Sequence, residues 1–263
     1  MIHVAIVSHG HENLLIASGM GGLRDAGANM HVWIKDNRPS AQLKAYCLQH
    51  GVSYIDDHPG LGFGENNNFL FDLISNSVGF GDGDSFIVMN PDITISPDTI
   101  MTLVSNMQRD AFPIATINLF RDEQHQYVDA NIRRFPNVIS LLRMVAVRSL
   151  SEPYDKKTMS ETCHVDWASG AFLAFDARHY QALQGFDTRY FMYFEDVDIC
   201  YRSHQLLGLG IRFYPQLNAT HTAAHKNRNL VSRHASWFFR SFLKFLSRRY
   251  FVYDRRANIS ASK

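Results

Sequence analysis

Cysteine is scarce in this chain. Cys47, Cys163 and Cys200 are too few and too scattered to form a disulfide framework or a zinc site, which fits a reducing compartment. Long apolar runs are missing too, since no stretch approaches the ~20 consecutive apolar residues that span a bilayer. The first residues, Ile2-His3-Val4-Ala5-Ile6-Val7, are strand-like and carry no basic leader, so no signal peptide is expected and a cytoplasmic location is. An excess of one charge is absent: 26 Lys and Arg against 25 Asp and Glu give no ground for nucleic-acid binding. Internal repeats, low-complexity tracts and obvious linkers are also lacking. What remains is a chain of 263 residues, 46% of them hydrophobic, ordinary for a soluble domain with a sizeable core.

The first half alternates short apolar runs with helix-like segments. Ile2–Ser8, Met30–Asp36, Val52–Asp56 and Ser85–Asn90 read as strands buried on both faces. Segments around His11–Asp25, Ala41–His50 and Glu65–Val78 read as the helices between them. Such alternation predicts an α/β fold, a mostly parallel, Rossmann-like sheet flanked by helices with right-handed crossovers. Ligands on such sheets sit beyond the carboxyl ends of the strands. Three of these ends are polar: Ser8-His9-Gly10, Asp36-Asn37 and Asn90-Pro91-Asp92. Further on, Ile114–Phe120 reads as a strand, Val138–Val147 as an apolar helix and Ser149–Ser160 as a polar loop. Order returns at Val165–Phe175, followed by a helix over Asp196–Leu207 and strand pieces at Ile211–Tyr214 and Asn218–His221. A helix-compatible stretch from about Leu230 to Tyr250 closes the chain. The division expected is a main domain over 1–229 and a C-terminal helical appendage over 230–263.

Two acidic signatures carry the chemistry. In Met89-Asn90-Pro91-Asp92 the proline stops a strand and directs a carboxylate off the sheet edge. Mg²⁺ and Mn²⁺ prefer such hard oxygen ligands, combined with substrate phosphates. A turn acid before a helix starting after Ser96 explains Asp92 alone equally well. The second signature, Glu195-Asp196-Val197-Asp198, crowds three acids behind Phe191-Met192-Tyr193-Phe194. The helix dipole favours one or two acids there. Partial burial and mutual repulsion would raise at least one pKa, as a general base needs. A metal-held diphosphate and a base across one cleft are what transfer from a nucleotide-activated donor requires.

Other sets point to the same cleft. Gly60-Leu61-Gly62-Phe63-Gly64 precedes Asn66, Asn67 and Asn68, and three asparagines opening a helix are hard to explain by propensity. Backbone amides at such a start can approach a base, ribose or phosphate. Trp167-Ala168-Ser169-Gly170 offers an aromatic platform with small neighbours for a sugar face, or simply core. His221 ends a short strand, with cationic Lys226 and Arg228 following. A lone histidine is more often structural, but imidazole is an acceptable Mn²⁺ ligand.

Taken in order, Val7-Ser8-His9-Gly10, Asp36-Asn37, Gly62-Phe63-Gly64 with Asn66–Asn68, Asn90-Pro91-Asp92, Trp167-Ala168-Ser169-Gly170, Gly185-Phe186-Asp187, Phe194-Glu195-Asp196-Val197-Asp198-Ile199-Cys200-Tyr201-Arg202 and His221 resemble a known family. The chain is similar to inverting glycosyltransferases of family 2 with a GT-A fold. Within them it resembles bacterial rhamnosyltransferases that add L-rhamnose to N-acetylglucosaminyl-diphospho-undecaprenol in O-antigen assembly. The likeness runs from residue 1 to about 250. It implies that Ser8, Asp36, Asn66, Asn67, Asn68, Asn90 and Arg228 contact the donor, Asp92 and His221 hold Mg²⁺ or Mn²⁺, and Trp167, Ser169 and Gly170 meet the acceptor. Asp196 would be the catalytic base, supported by Glu195 and Asp198. The family's metal motif often has two acids, whereas position 90 is Asn. The implied partners are a nucleotide sugar, by resemblance dTDP-L-rhamnose, and a polyprenyl-diphosphate-linked acceptor.

From Arg233 to Arg256 seven Arg or Lys residues face one acid, Asp254. Arg240, Lys244 and Arg248 recur at helical spacing, with Trp237, Phe238, Phe239, Phe242, Phe245 and Leu246 around them. Such a helix fits the interfacial plane of an anionic membrane, here the cytoplasmic face of the inner membrane, or packs on the domain with its charges in water. Competing activities are a family 2 transferase for another donor such as UDP-galactofuranose, a sugar-nucleotide pyrophosphorylase and a non-catalytic nucleotide-sugar-binding subunit. The pyrophosphorylase would show a basic glycine-rich loop after the first strand, which Ser8-His9-Gly10-His11-Glu12 lacks.

Overall fold

The computed structural model describes residues 1–25, 29–140, 151–222 and 233–253. Strands β1 (Ile2–Ser8), β2 (Met30–Asp36), β3 (Ser53–Ile55) and β4 (Ser85–Met89) form the parallel part of one sheet, with β2 and β4 flanking β1 and β3 outermost. Apart from half-buried Val7 and Tyr54, their apolar residues are buried, as the both-faces-covered reading requires. The second half departs from simple alternation. Short β5 (Ile93–Thr94) is followed by β6 (Ile114–Phe120), β7 (Ile132–Arg133), β8 (Cys163–Val165), β9 (Trp167–Ala168), β10 (Phe172–Asp176) and β11 (Ile211–His221). β10 runs antiparallel between β4 and β6, β11 lies parallel to β6, and β5 and β8 pair antiparallel with β11. β7 and β9 make a separate two-stranded ribbon. The single ordered stretch expected at Val165–Phe175 is therefore the end of β8, then β9 and most of β10.

Helices cover both faces. α1 (Glu12–Ala17), α2 (Gly22–Asp25), α3 (Ala41–Gln49) and α5 (Pro97–Arg109) enclose one apolar layer with Ile6, Ile34, Leu43, Ile100 and Leu103. The other layer is enclosed by α4 (Phe63–Ser77), α6 (Ala177–Ala182), α7 (Glu195–Leu207) and α8 (Arg233–Arg248), around Leu70, Phe86, Phe186, Phe194 and Phe213. The helix expected over His11–Asp25 is interrupted at Gly19, whose φ of +65° suits glycine. The helix expected over Val138–Val147 lies mostly outside the described residues.

The expected C-terminal helix is α8, and it packs on the rest of the domain. Phe242 and Phe245 are 0% exposed and belong to the core beside Phe194 and Tyr201. Two of the three cations expected on a membrane-facing surface also turn inward. Lys244 donates to the Arg189 carbonyl and lies 5.3 Å from the Tyr190 ring centre, and Arg248 pairs with Asp187 at 2.9 Å. No helix among the described residues is long and apolar enough to cross a membrane.

Candidate active site

Sheet register assembles the metal end. Ile93 pairs with His221, which brings Asp92, the residue before β5, to the end of β11. The Asp92 carbonyl accepts the Thr222 N–H at 3.0 Å, and His221 Nε2 stands 3.4 Å from Asp92 Oδ1. That oxygen is buried and makes no hydrogen bond. On its other side His221 donates from Nδ1 to Asp129 Oδ2 at 2.6 Å. Burial alone would lower the imidazole pKa, but the hydrogen bond to Asp129 and the charge of Asp92 beside it outweigh that and raise it to about 9. Asp92 is held low despite its burial by the same histidine. The imidazole is thus oriented by one carboxylate toward another, the arrangement by which outer partners aim metal-binding histidines. Among the described residues no three His, Cys, Asp or Glu side chains cluster as a complete metal site. A buried carboxylate oxygen that makes no hydrogen bond, beside an imidazole, still fits a hard divalent ion that takes its remaining ligands from a substrate.

The nucleoside end lies along the same edge. Ser8 and Asp36 are registered side by side at the ends of β1 and β2, and both are fully buried. Asp36 accepts from the Arg38 N–H at 3.2 Å and the Tyr54 hydroxyl at 3.0 Å. At the start of α4, Asn66 donates to the Leu61 and Gly62 carbonyls at 2.9 and 2.8 Å, and Asn67 to the Phe63 carbonyl at 2.9 Å. The side-chain oxygens of both are buried without a partner. Asn68 differs. It donates to the Phe186 carbonyl and accepts from the Tyr180 hydroxyl and the Phe186 N–H, so it ties α4 to the Gly185-Phe186 turn rather than facing a ligand. Arg228 lies outside the described residues.

Backbone bonds deliver the acidic cluster. The Asn90 N–H donates to the Ala171 carbonyl at 2.9 Å, and the neighbouring Gly170 N–H donates to Asp196 Oδ2 at 3.0 Å. The turn joining β9 to β10 therefore links the end of β4 directly to the start of α7. Gly170 has to be small there, because a Cβ would lie 2.9 Å from the Phe63 ring. Tyr193 and Phe194 enter α7 with φ of 68° and 70°, unusual for residues with a Cβ. Burial of Phe194 beneath Phe238, Phe242 and Phe245 of α8 holds this strained entry in place.

The three acids then meet different surroundings. Asp196 keeps some exposure, with Oδ1 accepting the Val197 N–H at 2.8 Å. Burial raises its pKa against the pull of these backbone donors. Glu195 is buried, its Oε2 has no hydrogen bond, and burial and then Asp196 raise its pKa well above the ordinary value. Asp198 is turned away from Asp196. It is 0% exposed and paired with Arg202 at 2.7 Å, with Arg248 at 3.9 Å. Trp167 is 9% exposed, with its indole N–H donating to the Arg134 carbonyl at 2.9 Å, so its ring is core and not an open platform. Ser169 is half-buried beside Gly170.

No family model matches this chain. Curated sequences do. Rhamnosyltransferase WbbL of Escherichia coli (strain K12) is 30% identical over 256 residues, 97% of this chain and 96% of that protein. The chain belongs to the same glycosyltransferase family. This glycosyltransferase is also similar to the N-acetylglucosaminyl-diphospho-decaprenol L-rhamnosyltransferase of Mycobacterium tuberculosis (strain ATCC 25618 / H37Rv), at 25% identity over 230 residues, 82% of this chain and 72% of that one. Its fold is that of GT-A glycosyltransferases. A mannosyltransferase from Pyrobaculum calidifontis, solved with GDP-Man and Mn²⁺, superposes with a TM-score of 0.58 at 10% identity, covering 86% of this chain and 58% of that one. GalNAc-T7, solved with UDP, GalNAc and Mn²⁺, gives 0.64 at 14% identity, covering 89% and 46%.

Two residues of this glycosyltransferase near His221 carry no sequence motif. Asp129 has no local motif and is found only through its bond to His221. Lys156, in the loop expected to be merely polar, donates to Asn118 Oδ1 at 3.0 Å and to Asn131 Oδ1, beside the Asp129 segment. Burial lowers its pKa to about 7, against the pull of Asp129.

Proposed function

We propose that this glycosyltransferase moves L-rhamnose from dTDP-L-rhamnose to N-acetylglucosaminyl-diphospho-undecaprenol, with inversion, in cell-surface polysaccharide synthesis. The observation that carries the reading is the pair of backbone bonds from Asn90 to Ala171 and from Gly170 to Asp196, which join the Asp92 and Asp196 sides of one cleft. The full-length likeness to a rhamnosyltransferase supports the sugar, and the mycobacterial relative's name supports a diphospholipid acceptor.

Ser8, Asp36 and the free oxygens of Asn66 and Asn67 are suited to bind the nucleoside, with Asn90 beside them. Asp92 and His221 are the residues that would hold Mg²⁺ or Mn²⁺, whose chemistry there is to neutralise the donor's diphosphate. Asp196 takes the proton from an acceptor hydroxyl as its oxygen bonds the anomeric carbon. The bond from that carbon to the diphosphate breaks on the opposite face, and the nucleoside diphosphate leaves with the electron pair. Glu195, whose burial and proximity to Asp196 disfavour its charge, limits the negative charge beside the base. Gly170 fixes the base through its N–H, and Ser169 lies where an acceptor sugar would dock.

The exposed surface of α8 supports attachment to the inner membrane from the cytoplasmic side. Phe239 and Leu243 are 42% and 44% exposed along it, and Phe251, just beyond its end, is 64% exposed. They form an apolar stripe on a basic segment, suited to the headgroup boundary.

The reading is tested by incubating the purified chain with the short-chain diphospholipid acceptor and either dTDP-L-rhamnose or UDP-galactofuranose. Transfer from the first alone, lost with EDTA and restored by Mg²⁺ or Mn²⁺, is expected. Transfer from the second alone would overturn the donor, and full activity in EDTA would overturn the metal.

A further inference from the structure

We propose that Lys156 is a positioning residue that holds two parts of the reaction site in register, the imidazole of His221 and the turn whose N–H bonds Asp196. This rests on the metal and base assignments above and deepens them. Both parts are fastened to one short segment, residues 129–131. At its start, Asp129 Oδ2 accepts from His221 Nδ1 at 2.6 Å, and Arg121 lies 3.8 Å from the other carboxylate oxygen. The far side of that imidazole faces Asp92 at 3.4 Å. At the end of the segment, the Asn131 carbonyl accepts the Ser169 N–H at 2.8 Å. The next N–H, of Gly170, bonds Asp196 Oδ2 at 3.0 Å. Two residues of chain span at most about 7 Å, so the link between the two parts is short.

Lys156 locks this link to the sheet. Its ammonium donates to Asn131 Oδ1, to Asn118 Oδ1 at 3.0 Å and to the Leu119 carbonyl at 3.4 Å. The same Leu119 carbonyl accepts the Asp129 N–H at 2.9 Å, and Asn131 Nδ2 donates to the Ile117 carbonyl at 3.2 Å. Lysine and segment are therefore both bound to β6 at Ile117, Asn118 and Leu119. β6 runs parallel to β11, with Asn118 opposite Asn218 and Phe120 opposite Thr220. The strand that ends in His221 thus belongs to the same frame.

The chemistry of the group points to positioning and not to ligand contact. An ammonium has three N–H donors, and three protein oxygens take them. The group also lies 5.8 Å from the centre of the Phe213 ring, where burial works against its charge. An apolar side chain would often fill such a place at lower cost. A fully satisfied polar network, in contrast, fixes one arrangement of the chain. Asn118 and Asn131 are 9% and 2% exposed, so loss of the ammonium would leave both amide oxygens short of a donor.

The test reads the two parts separately. Mn²⁺ binding in the presence of dTDP is followed by electron paramagnetic resonance of the free ion, without turnover. Transfer is then measured at saturating Mn²⁺ and donor, where the metal effect is removed and kcat reports the base. Lys156→Met should weaken Mn²⁺ binding about tenfold through His221. It should also lower kcat about tenfold through Asp196. Lys156→Arg, which keeps the charge and the donors, should restore most of both. If the methionine variant does not fold, Lys156→Gln, which keeps a donor, should show the same two shifts at smaller size. A lower melting temperature with native Mn²⁺ affinity and kcat, or a loss confined to one of the two, would overturn the role of Lys156 and leave the transferase reading standing. A native chain that transfers the sugar without binding Mn²⁺ would overturn the metal assignment and this proposal with it. A native chain that transfers nothing would overturn the transferase reading itself.

Discussion

Asp196 and Asp198 stand two residues apart in the first turn of one helix, and their surroundings are opposite. Asp198 is fully buried and neutralised by Arg202 and Arg248, which themselves reach the Leu183 and Gly185 carbonyls and Asp187. Asp196 accepts from the Gly170 and Val197 N–H groups and makes no ion pair among the described residues. Because two residues turn a helix by about 200°, neighbours of this kind point to opposite sides. One carboxylate joins α7 to α8. The other, with Glu195, is kept in a setting that disfavours its charge, which costs stability and suits proton transfer.

The largest effect expected is on turnover. Asp196→Asn should lower kcat about 10³-fold without loss of folding. In the native chain the acid limb of kcat/KM should fall above the usual carboxylate range, because burial raises the pKa of the base. Asp198→Ala should act the other way round. Leaving Arg202 with its buried carboxylate gone should cost about 3–5 kcal/mol in urea unfolding, while the fraction that remains folded keeps much of its kcat. A loss of turnover without loss of stability would reverse the two roles.

Glu195→Gln sharpens the contrast with a smaller effect. A carboxyl group with a raised folded pKa binds more protons folded than unfolded, so stability falls as pH rises through the window between the two values. The glutamine variant should therefore melt a few degrees higher than the native chain at neutral pH, with the gap closing as pH falls toward the unfolded glutamate value. A gap independent of pH would mean that Glu195 is ionised without cost. Smallest is the effect at the surface of α8, where Lys244 and Arg248 serve the fold and Phe239 and Leu243 face outward. Replacing those two apolar residues by serine should weaken flotation with anionic vesicles about tenfold, and unaltered flotation would remove the stripe from the membrane contact.

The legible parts of the sequence were those governed by local pattern. Buried apolar runs marked β1, β2, β4 and β6, and the polar residues closing the first three of these lie along the expected edge. Non-local pairing was not legible. Nothing in Phe172–Asp176 distinguishes an antiparallel strand inserted between β4 and β6 from a parallel one. The partners of Trp167 and Asn68 are likewise remote in sequence, and those partners make them structural. The α8 pattern of cations and aromatics is the same whether the helix meets lipid or protein. Only the contacts of Phe242, Phe245, Lys244 and Arg248 separate the two.

As the proposed base, Asp196 acts on the acceptor only after the donor is bound, so donor binding does not depend on it. Titrating dTDP-L-rhamnose into native and Asp196→Asn protein by calorimetry, with turnover measured on the same samples, tests this most directly. Donor affinity within about twofold of native alongside a loss of turnover of about 10³-fold is the predicted result. Near-native turnover in the variant would contradict it, and so would donor affinity that falls in step with rate.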